Sequence, residues 1–307
     1  MKVLVTGANG FLGPHVSAAL EKSGWQVRAA IRSPERPAVA AEQVIVQTPG
    51  ELADWTDAVR GVDAVVHLAG RAHRAPGIQA AEEKIYETVN VTNSLNLARA
   101  AAQAGARHFV FLSSIHVNGS GTDGRAPFRE NDPPAPSTVY AETKLEAETK
   151  LAGLAAGSGM QLTSIRTPLI YGRGAKANLA LLVRALQRGL PLPFGDVENR
   201  RAFAAAENVA SFVLHRLQHG NDSGTFIVAD DEQVSTPEFI RLLAQGLGVR
   251  PRLFAVPEGI LAGLLKLFGR GHVAESLLGS LEVDTAKARA SGWQPVVTLS
   301  EALKALR

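Results

Sequence analysis

Cysteine is absent from all 307 residues of the chain. Because disulfides, cysteine nucleophiles and thiolate zinc sites all require cysteine sulfur, the sequence excludes each of them. The absence also fits a reducing compartment. The histidines show no metal-ligand spacing with acidic residues, so we expect no metal site.

Long apolar runs and clusters of basic residues are missing as well. The longest apolar helical stretch, residues 259–268, contains Lys266 and is shorter than the roughly 20 apolar residues of a membrane-spanning helix. No signal-peptide pattern is present, so we expect a cytoplasmic protein without membrane insertion. The net charge is +3 without a Lys/Arg-rich run, so we expect no nucleic-acid binding. A mild positive excess still suits anionic phosphorylated ligands.

Short apolar runs alternate with helical patterns in the first half of the chain. These runs are continuously apolar, which is typical of parallel strands covered by helices on both faces. The repeated strand–helix order predicts an α/β fold with a doubly wound, Rossmann-type parallel sheet. The predicted strands are residues 3–6, 27–31, 44–46, 64–68 and 109–112, and the clearest helices are residues 11–23 and 89–104.

The pattern changes after about residue 170, where segments become helical and are interrupted by prolines. We therefore expect a smaller, mostly helical C-terminal substrate lobe. Residues 226–228 look like one more strand, so the chain crosses back to the sheet. The predicted Rossmann domain comprises residues 1–172 and about 201–230, and the lobe comprises about 173–200 and 231–307.

A glycine-rich loop follows the first strand and opens a helix, with the spacing G-x-x-G-x-x-G over residues 7–13. In this context the first glycine makes the tight turn, the second lets the backbone approach a pyrophosphate, and the third allows close helix packing. The free N–H groups of the helix then face the phosphates. The dinucleotide-binding residues predicted from this loop are Gly7, Asn9, Gly10, Phe11, Leu12 and Gly13.

The end of the second strand indicates which nicotinamide cofactor is used. NAD-binding folds usually carry an acidic residue there, bonded to the ribose 2′-hydroxyl. Residues 29–32 read Ala-Ala-Ile-Arg and contain no acid. Because a guanidinium suits a 2′-phosphate, Arg32, with Arg36 nearby, favours NADP(H), and NAD(H) is the alternative.

Tyr140 and Lys144 are four residues apart, so on a helix their side chains share one face. A phenol with a pKa of about 10 transfers protons poorly at neutral pH. A nearby ammonium lowers such a pKa, so we expect Lys144 to lower that of Tyr140. Ser114 follows a strand, at the edge where open α/β sheets bind ligands, and could bind the same substrate oxygen.

Taken together, these motifs resemble the extended short-chain dehydrogenase/reductase family, in its branch of nucleotide-sugar epimerases, dehydratases and reductases. The shared motifs are the glycine loop, His-Leu-Ala-Gly at 67–70, Ser-Ser at 113–114, Tyr-x-x-x-Lys at 140–144 and Arg-Thr-Pro-Leu-Ile-Tyr-Gly at 166–172. The resemblance implies a Rossmann domain, a nucleotide-sugar lobe and a Ser-Tyr-Lys centre.

The family's patterns assign further residues. Ser114, rather than Ser113, aligns with the catalytic serine, and Lys144 also holds the nicotinamide ribose. Leu68, Ala69 and Gly70 lie beside the cofactor. The substrate-binding residues implied are His116 in the sugar wall, Asn178 at the pyrophosphate and Arg201 at a nucleotide phosphate.

The chain also departs from the family pattern. Asn118 replaces a tyrosine, and Ala202 and Asn208 replace two aspartates. An aspartate that contacts adenine is missing, so Glu51 is the candidate substitute. Members of this family often dimerise through helices that correspond here to about residues 85–104 and 140–155, so we expect a homodimer.

Three reactions compete within the branch. The stretch after Ser114 lacks the acidic pair of a 4,6-dehydratase. Arg32, and a narrower resemblance of residues 113–119, 130–136 and 199–201 to a subgroup that serves surface-polysaccharide synthesis, favour an NADP(H)-dependent 4-ketoreductase. Its substrate would be a UDP-linked 6-deoxy N-acetylhexose. A UDP-hexose 4-epimerase with bound NAD is the alternative. A non-catalytic cofactor sensor is disfavoured because the Tyr-Lys pair is retained.

Overall fold

The computed structural model describes residues 1–34, 38, 40, 42–46, 53–72, 80–175, 178–220, 222–267 and 277–306. The strands in this part of the chain are β1 (Lys2–Thr6), β2 (Gln26–Ile31), β3 (Glu42–Ile45), β4 (Ala64–His67), β5 (His108–Leu112), β6 (Gln161–Arg166), β7 (Leu169–Tyr171), β8 (Pro191–Leu192), β9 (Phe203–Ala205), β10 (Gly224–Ile227) and β11 (Arg252–Leu253).

The α-helices in the same residues are α1 (Gly13–Lys22), α2 (Thr56–Val59), α3 (Ala80–Glu87), α4 (Asn93–Gln103), α5 (Val139–Ser158), α6 (Asn178–Gln187), α7 (Ala206–His219), α8 (Thr236–Leu247), α9 (Glu258–Leu267), α10 (Ala286–Ala290) and α11 (Leu299–Lys304). A π-helix (Thr88–Thr92) precedes α4, and a 3₁₀ turn (Ile115–Val117) follows β5.

Seven parallel strands form the central sheet in the order β10-β6-β5-β4-β1-β2-β3. The chain runs outward from β1 in one direction through β2 and β3, and in the other through β4, β5 and β6. The order therefore reverses between β1 and β4, which is the point where ligands bind in doubly wound sheets. The predicted α/β Rossmann fold class is confirmed.

Helices cover both faces of the sheet, which explains why its middle strands β1, β4 and β5 contain continuous apolar runs. One core joins Val3 and Val5 of β1 to α1 and α7, and a second joins Leu4 of the same strand to α4 and α5. Successive residues of β1 thus enter opposite cores. Neither face of β1 is open to solvent. An alternating pattern of apolar and polar residues would therefore bury polar side chains and destabilise the strand.

A third core lies in the C-terminal half. It packs α6, α8 and α11 against β7 and β9, with stacked rings of Phe203 and Phe239 at 4.1 Å between centroids. Two short parallel pairs, β7 with β9 and β8 with β11, accompany these helices. Across the described ranges, no helix is both long and apolar enough to cross a membrane.

The sequence predicts that the chain crosses back to the central sheet near residues 226–228. Helix α7 packs on α1, and β10 pairs with β6 at the edge of the central sheet, so α7 and β10 lie with the sheet. The predicted boundaries of the two domains stay a prediction. The predicted helix at residues 11–23 begins at Gly13, because the glycine loop occupies the two residues before it.

Candidate active site

The candidate site lies at the carboxyl edge of the sheet, at the reversal between β1 and β4. The glycine loop leaves β1, residues 68–70 leave β4, and residues 113–114 leave β5. Because these strands are parallel neighbours, their following residues meet at one edge. The edge thus collects three of the segments that the sequence singles out.

The glycine loop can exist only with glycine at two positions. Gly7 has a φ of +67°, and a Cβ on it would lie 2.9 Å from the backbone nitrogen of Ala69. A Cβ on Gly13 would lie 2.3 Å from the carbonyl oxygen of Ala8, which is too close for any side chain. Gly10 closes the turn by donating its N–H to the Gly7 oxygen at 2.8 Å.

Helix α1 begins directly after this turn. No side chain caps its first N–H groups, and Pro14 occupies the first turn where a missing donor costs nothing. Asn9 and Gly10 are exposed, while Phe11 is half-buried and Leu12 is buried. A bare backbone with uncapped donors is the cradle that a dinucleotide pyrophosphate requires, so these residues fit such a cofactor.

Thr6 and His67 join the ends of β1 and β4 at the same edge. The Thr6 hydroxyl lies 2.6 Å from Nδ1 of His67, and Ser94 lies 2.9 Å from Nε2. The Thr6 oxygen also accepts the N–H of Ala69 at 3.2 Å, which orients residues 68–70. Burial lowers the pKa of His67 to about 3, so the ring is neutral. Both of its ring nitrogens have hydrogen-bond partners, so His67 is a satisfied core histidine.

Tyr140 and Lys144 lie in the first turns of α5. Thr138 caps this helix by accepting the N–H of Ala141 at 3.1 Å. Ser114 caps the 3₁₀ turn after β5, where its oxygen accepts the N–H of His116 at 3.3 Å. The Ser114 hydroxyl lies close enough to Tyr140 to lower the pKa of its phenol. The structure therefore brings together the hydroxyls that the sequence predicts to act as a pair.

Lys144 is buried behind them. Its Nζ donates to the Leu112 carbonyl at 2.8 Å and lies 4.5 Å from the centre of the Phe111 ring. A Cβ at Gly70 would lie 3.2 Å from Nζ, so glycine there lets the strand end approach the ammonium. Burial lowers the pKa of Lys144 to about 8, although the negative charge of Glu148 raises it in part.

The pKa of Tyr140 is opposite in direction to the prediction. We expect Lys144 to lower it, yet desolvation raises the pKa of Tyr140 to about 12, and the nearby Ser114 hydroxyl offsets this only in part. The cost of placing a phenolate in a poorly solvated position outweighs its stabilisation. Tyr140 consequently stays protonated at neutral pH.

The other predicted residues are the candidates for binding the cofactor and the substrate, and they differ in exposure. Arg32 is exposed, directly after β2, the neighbour of the strand that carries the glycine loop. His116 is exposed beside Ser114. Arg201 is half-buried, donates to the Gly279 carbonyl, and burial lowers its pKa to about 10. The side chain of Asn178, and residues Arg36 and Glu51, lie outside the described part of the chain.

Several polar residues of the site carry no role in the sequence-based prediction. Asn90 is fully buried in the π-helix; its Oδ1 accepts the N–H of Arg71 at 2.8 Å, and its Nδ2 donates to Thr143 at 3.1 Å. Thr143 lies next to Lys144 in sequence, so Asn90 ties the π-helix to the first turns of α5. The available signal is the helix predicted over residues 89–104, which indicates a helix rather than this contact.

The comparisons with known proteins agree with this geometry. Residues 3–229 match the NAD dependent epimerase/dehydratase family. The UDP-glucose 4-epimerase of Vibrio cholerae is 35% identical over 309 aligned residues, which cover 98% of this chain and 93% of that protein. The GDP-6-deoxy-D-mannose reductase of Pseudomonas aeruginosa is 26% identical, with 99% and 95% of the two chains covered.

A solved structure supports the same assignment over the whole fold. MoeE5 in complex with UDP-glucuronic acid and NAD has a TM-score of 0.78 at 26% identity, covering 99% of this chain and 96% of that one. The matches span nearly the full length, including the glycine loop and the Tyr-Lys helix. This chain belongs to the NAD dependent epimerase/dehydratase family and is an oxidoreductase or epimerase of the extended short-chain dehydrogenase/reductase type.

Proposed function

We propose that this enzyme reduces the 4-keto group of a UDP-linked 6-deoxy N-acetylhexose with NADPH, in the synthesis of surface-polysaccharide precursors. The observation that carries the proposal is the paired Ser114 and Tyr140 hydroxyls, with Tyr140 kept protonated by a pKa of about 12. A protonated phenol beside a second donor suits the delivery of a proton to a carbonyl oxygen that becomes an alcohol.

Each of the three residues has its own role in this reaction. Ser114 and Tyr140 bind the carbonyl oxygen, and Tyr140 gives it a proton as the carbon is reduced. The cofactor, when bound, supplies the hydride. Lys144 holds the nicotinamide ribose, and its positive charge stabilises the phenolate that remains on Tyr140.

Cofactor choice rests on the end of β2. Arg32 follows Ile31 with no acid beside it, and its guanidinium makes no ion pair with any described residue. An exposed guanidinium next to the glycine loop is suited to a 2′-phosphate. Since the MoeE5 structure contains NAD, a nicotinamide cofactor is supported, and NADP(H) is our proposal for this chain.

The substrate assignment rests on relatives and on three polar residues. MoeE5 binds UDP-glucuronic acid, and the V. cholerae relative is named for UDP-glucose, so a UDP-sugar is the proposed class. The P. aeruginosa relative is named as the reductase of a deoxy sugar nucleotide, which favours reduction. We assign His116 to the sugar wall, Asn178 to the pyrophosphate and Arg201 to a nucleotide phosphate.

A UDP-hexose 4-epimerase is the second candidate. The V. cholerae relative carries that activity in its name at 35% identity, higher than the reductase relative. An epimerase uses the same Ser114, Tyr140 and Lys144 twice, in oxidation and then in reduction. It retains its cofactor through the cycle, and a reductase exchanges it.

The deciding experiment mixes the purified enzyme with NADPH and UDP-4-keto-6-deoxy-N-acetylglucosamine. We expect stoichiometric loss of NADPH absorbance and a UDP-sugar whose C4 is reduced. The Tyr140→Phe variant should lose about 10²-fold or more in rate, because the proton donor is gone. No NADPH consumption, together with bound NAD and interconversion of UDP-hexose epimers, would establish the epimerase instead.

A further inference from the structure

A buried ion pair lies one helical turn behind Lys144. Arg166 of β6 and Glu148 of α5 are each only 7% exposed, so water does not screen their charges. Arg166 donates from Nη2 to Oε2 of Glu148 at 2.6 Å and from Nε to Oε1 at 3.1 Å. Its other amino group bonds Asn118 at 3.0 Å. The guanidinium thus occupies both oxygens of the carboxylate.

Glu148 has a second cation within reach. It follows Lys144 by four residues on α5, and side chains at that spacing are neighbours on a helix. Yet the Lys144 ammonium bonds the Leu112 carbonyl at the site, and within the described residues Glu148 accepts hydrogen bonds from Arg166 alone. Because a buried carboxylate must be paired with a cation, Glu148 can pair either with Arg166 or with Lys144.

We propose that Arg166 is a positioning residue that keeps Glu148 from capturing the Lys144 ammonium. With both carboxylate oxygens bonded to the guanidinium, Lys144 stays directed to the strand end, where the ribose would bind. The inference rests on the role proposed for Lys144. Without Arg166, the carboxylate would draw the ammonium back along α5 and out of the site.

A purely structural pair would behave differently. Removing either partner of a buried pair destabilises a protein, because the remaining charge is uncompensated. In that case Glu148→Gln, which leaves the guanidinium uncompensated, harms NADPH binding as much as Arg166→Gln does. Under our proposal the harm from losing Arg166 comes through Glu148, so a second substitution that removes the carboxylate charge restores function.

The test compares Arg166→Gln, Glu148→Gln and the double variant by the dissociation constant for NADPH, measured from its fluorescence. We expect Arg166→Gln to weaken binding about tenfold, as one displaced ammonium contact would. Glu148→Gln should bind within about threefold of the unaltered enzyme, and the double variant should return to about that level. Arg216→Gln is the matched control, because Arg216 is also a buried arginine, paired with Asp222 away from Lys144.

A second measurement locates the ammonium. A crystal structure of Arg166→Gln should place Nζ of Lys144 at the Glu148 carboxylate rather than at the Leu112 oxygen. Should that variant not fold, Arg166→Lys carries the same comparison, since a single ammonium cannot form the two parallel N–H···O bonds that a guanidinium makes with a carboxylate. We expect a loss of about threefold for it, again removed by Glu148→Gln.

Defined results would overturn the inference. Affinity of Arg166→Gln equal to that of the unaltered enzyme would do so, as would a Glu148→Gln variant that binds NADPH as weakly as Arg166→Gln, or a double variant that binds it no better. Because the readout is cofactor affinity, it does not depend on the sugar. If the keto-sugar is not reduced, the substrate proposal fails while this comparison stands or falls separately.

Discussion

Among the described residues of the proposed catalytic centre, Lys144 is the group whose protonation changes at moderately alkaline pH. Burial lowers its pKa to about 8, whereas burial lowers the pKa of His67 to about 3 and raises that of Tyr140 to about 12. Between those extremes His67 stays neutral and Tyr140 stays protonated. The Lys144 ammonium is present below about pH 8 and is lost as the pH rises through that value.

The rate of NADPH oxidation should therefore decline on the alkaline side, with an apparent pKa of about 8. The reason is that neutral Lys144 neither holds the ribose by charge nor stabilises the Tyr140 phenolate. The measurement is the initial rate from about pH 6 to pH 10 at constant ionic strength. A rate that stays level up to about pH 10 would contradict this role of Lys144.

Arg32 carries the prediction of cofactor preference. Its replacement by aspartate, Arg32→Asp, should raise the KM for NADPH about tenfold or more and improve the use of NADH, since a carboxylate repels a 2′-phosphate and binds a 2′-hydroxyl. The measurement is the ratio of kcat/KM for the two cofactors. Arg60→Asp is the control, because Arg60 is an exposed arginine before β4, at the opposite edge of the sheet. An unchanged ratio in Arg32→Asp would remove the basis for NADPH.

At the scale of elements, the sequence predicts the strands that contain continuous apolar runs. The predicted strands 3–6, 27–31 and 109–112 correspond to β1, β2 and β5. Strand β6 was not predicted, because it reads Gln-Leu-Thr-Ser-Ile-Arg and lacks an apolar run. Its polar residues are nevertheless buried: Thr163 bonds His108 at 2.9 Å, and Arg166 pairs with Glu148. Such partners are distant in sequence and leave no local pattern.

The helix predicted over residues 89–104 differs at its start from the helix in the structure. Residues 88–92 form a π-helix, and the α-helix begins only at Asn93. Apolar periodicity indicates a helix but does not distinguish wider turns, because one wide turn barely alters the apolar stripe. Here the wide turn accompanies full burial of Asn90, whose amide bonds Arg71 and Thr143. The wider turn is thus associated with the catalytic helix.

The turn between β1 and α1 can be tested directly. Gly13→Ala should cost about 1–3 kcal/mol of unfolding free energy and weaken NADPH binding, because the new Cβ would meet the Ala8 oxygen and displace the phosphate loop. The measurements are urea denaturation and cofactor titration. Gly153→Ala, in the middle of α5 with no atom within 4 Å of the added Cβ, is the control and should be neutral or stabilising by about 0.5–1 kcal/mol. Equal stability of both variants would contradict the close approach.

At the scale of the whole molecule, the site depends on strand ends that are far apart in the chain. The sequence predicts Ser114, Tyr140 and Lys144 because their motifs are local, and the sheet order brings their segments together. The restraint of Lys144 by Arg166 and Glu148 could not be predicted, since it depends on which of two cations a carboxylate bonds. The same is true of the raised pKa of Tyr140, which burial determines.

Helices α4 and α5 lie together on one face of the sheet, and they carry the predicted dimer contact. The outer side of α5 is exposed at residues 152–153 and 156–157, which read Ala-Gly and Ala-Gly, so another chain could approach its backbone closely. We therefore expect a homodimer in solution. The unaltered protein should elute with twice the mass of one 32.4 kDa chain in light scattering coupled to gel filtration.

Gly153→Arg tests where that contact lies. The side chain would point into open space in a single chain, since no atom lies within 4 Å of an added Cβ, so the fold should persist. Across a closely packed, symmetric α4–α5 contact, two arginines would approach each other and the dimer should dissociate at least about tenfold more readily. Gly153→Ala should remain dimeric. A Gly153→Arg protein that keeps the doubled mass would place the contact elsewhere, and a monomeric unaltered protein would end the dimer prediction.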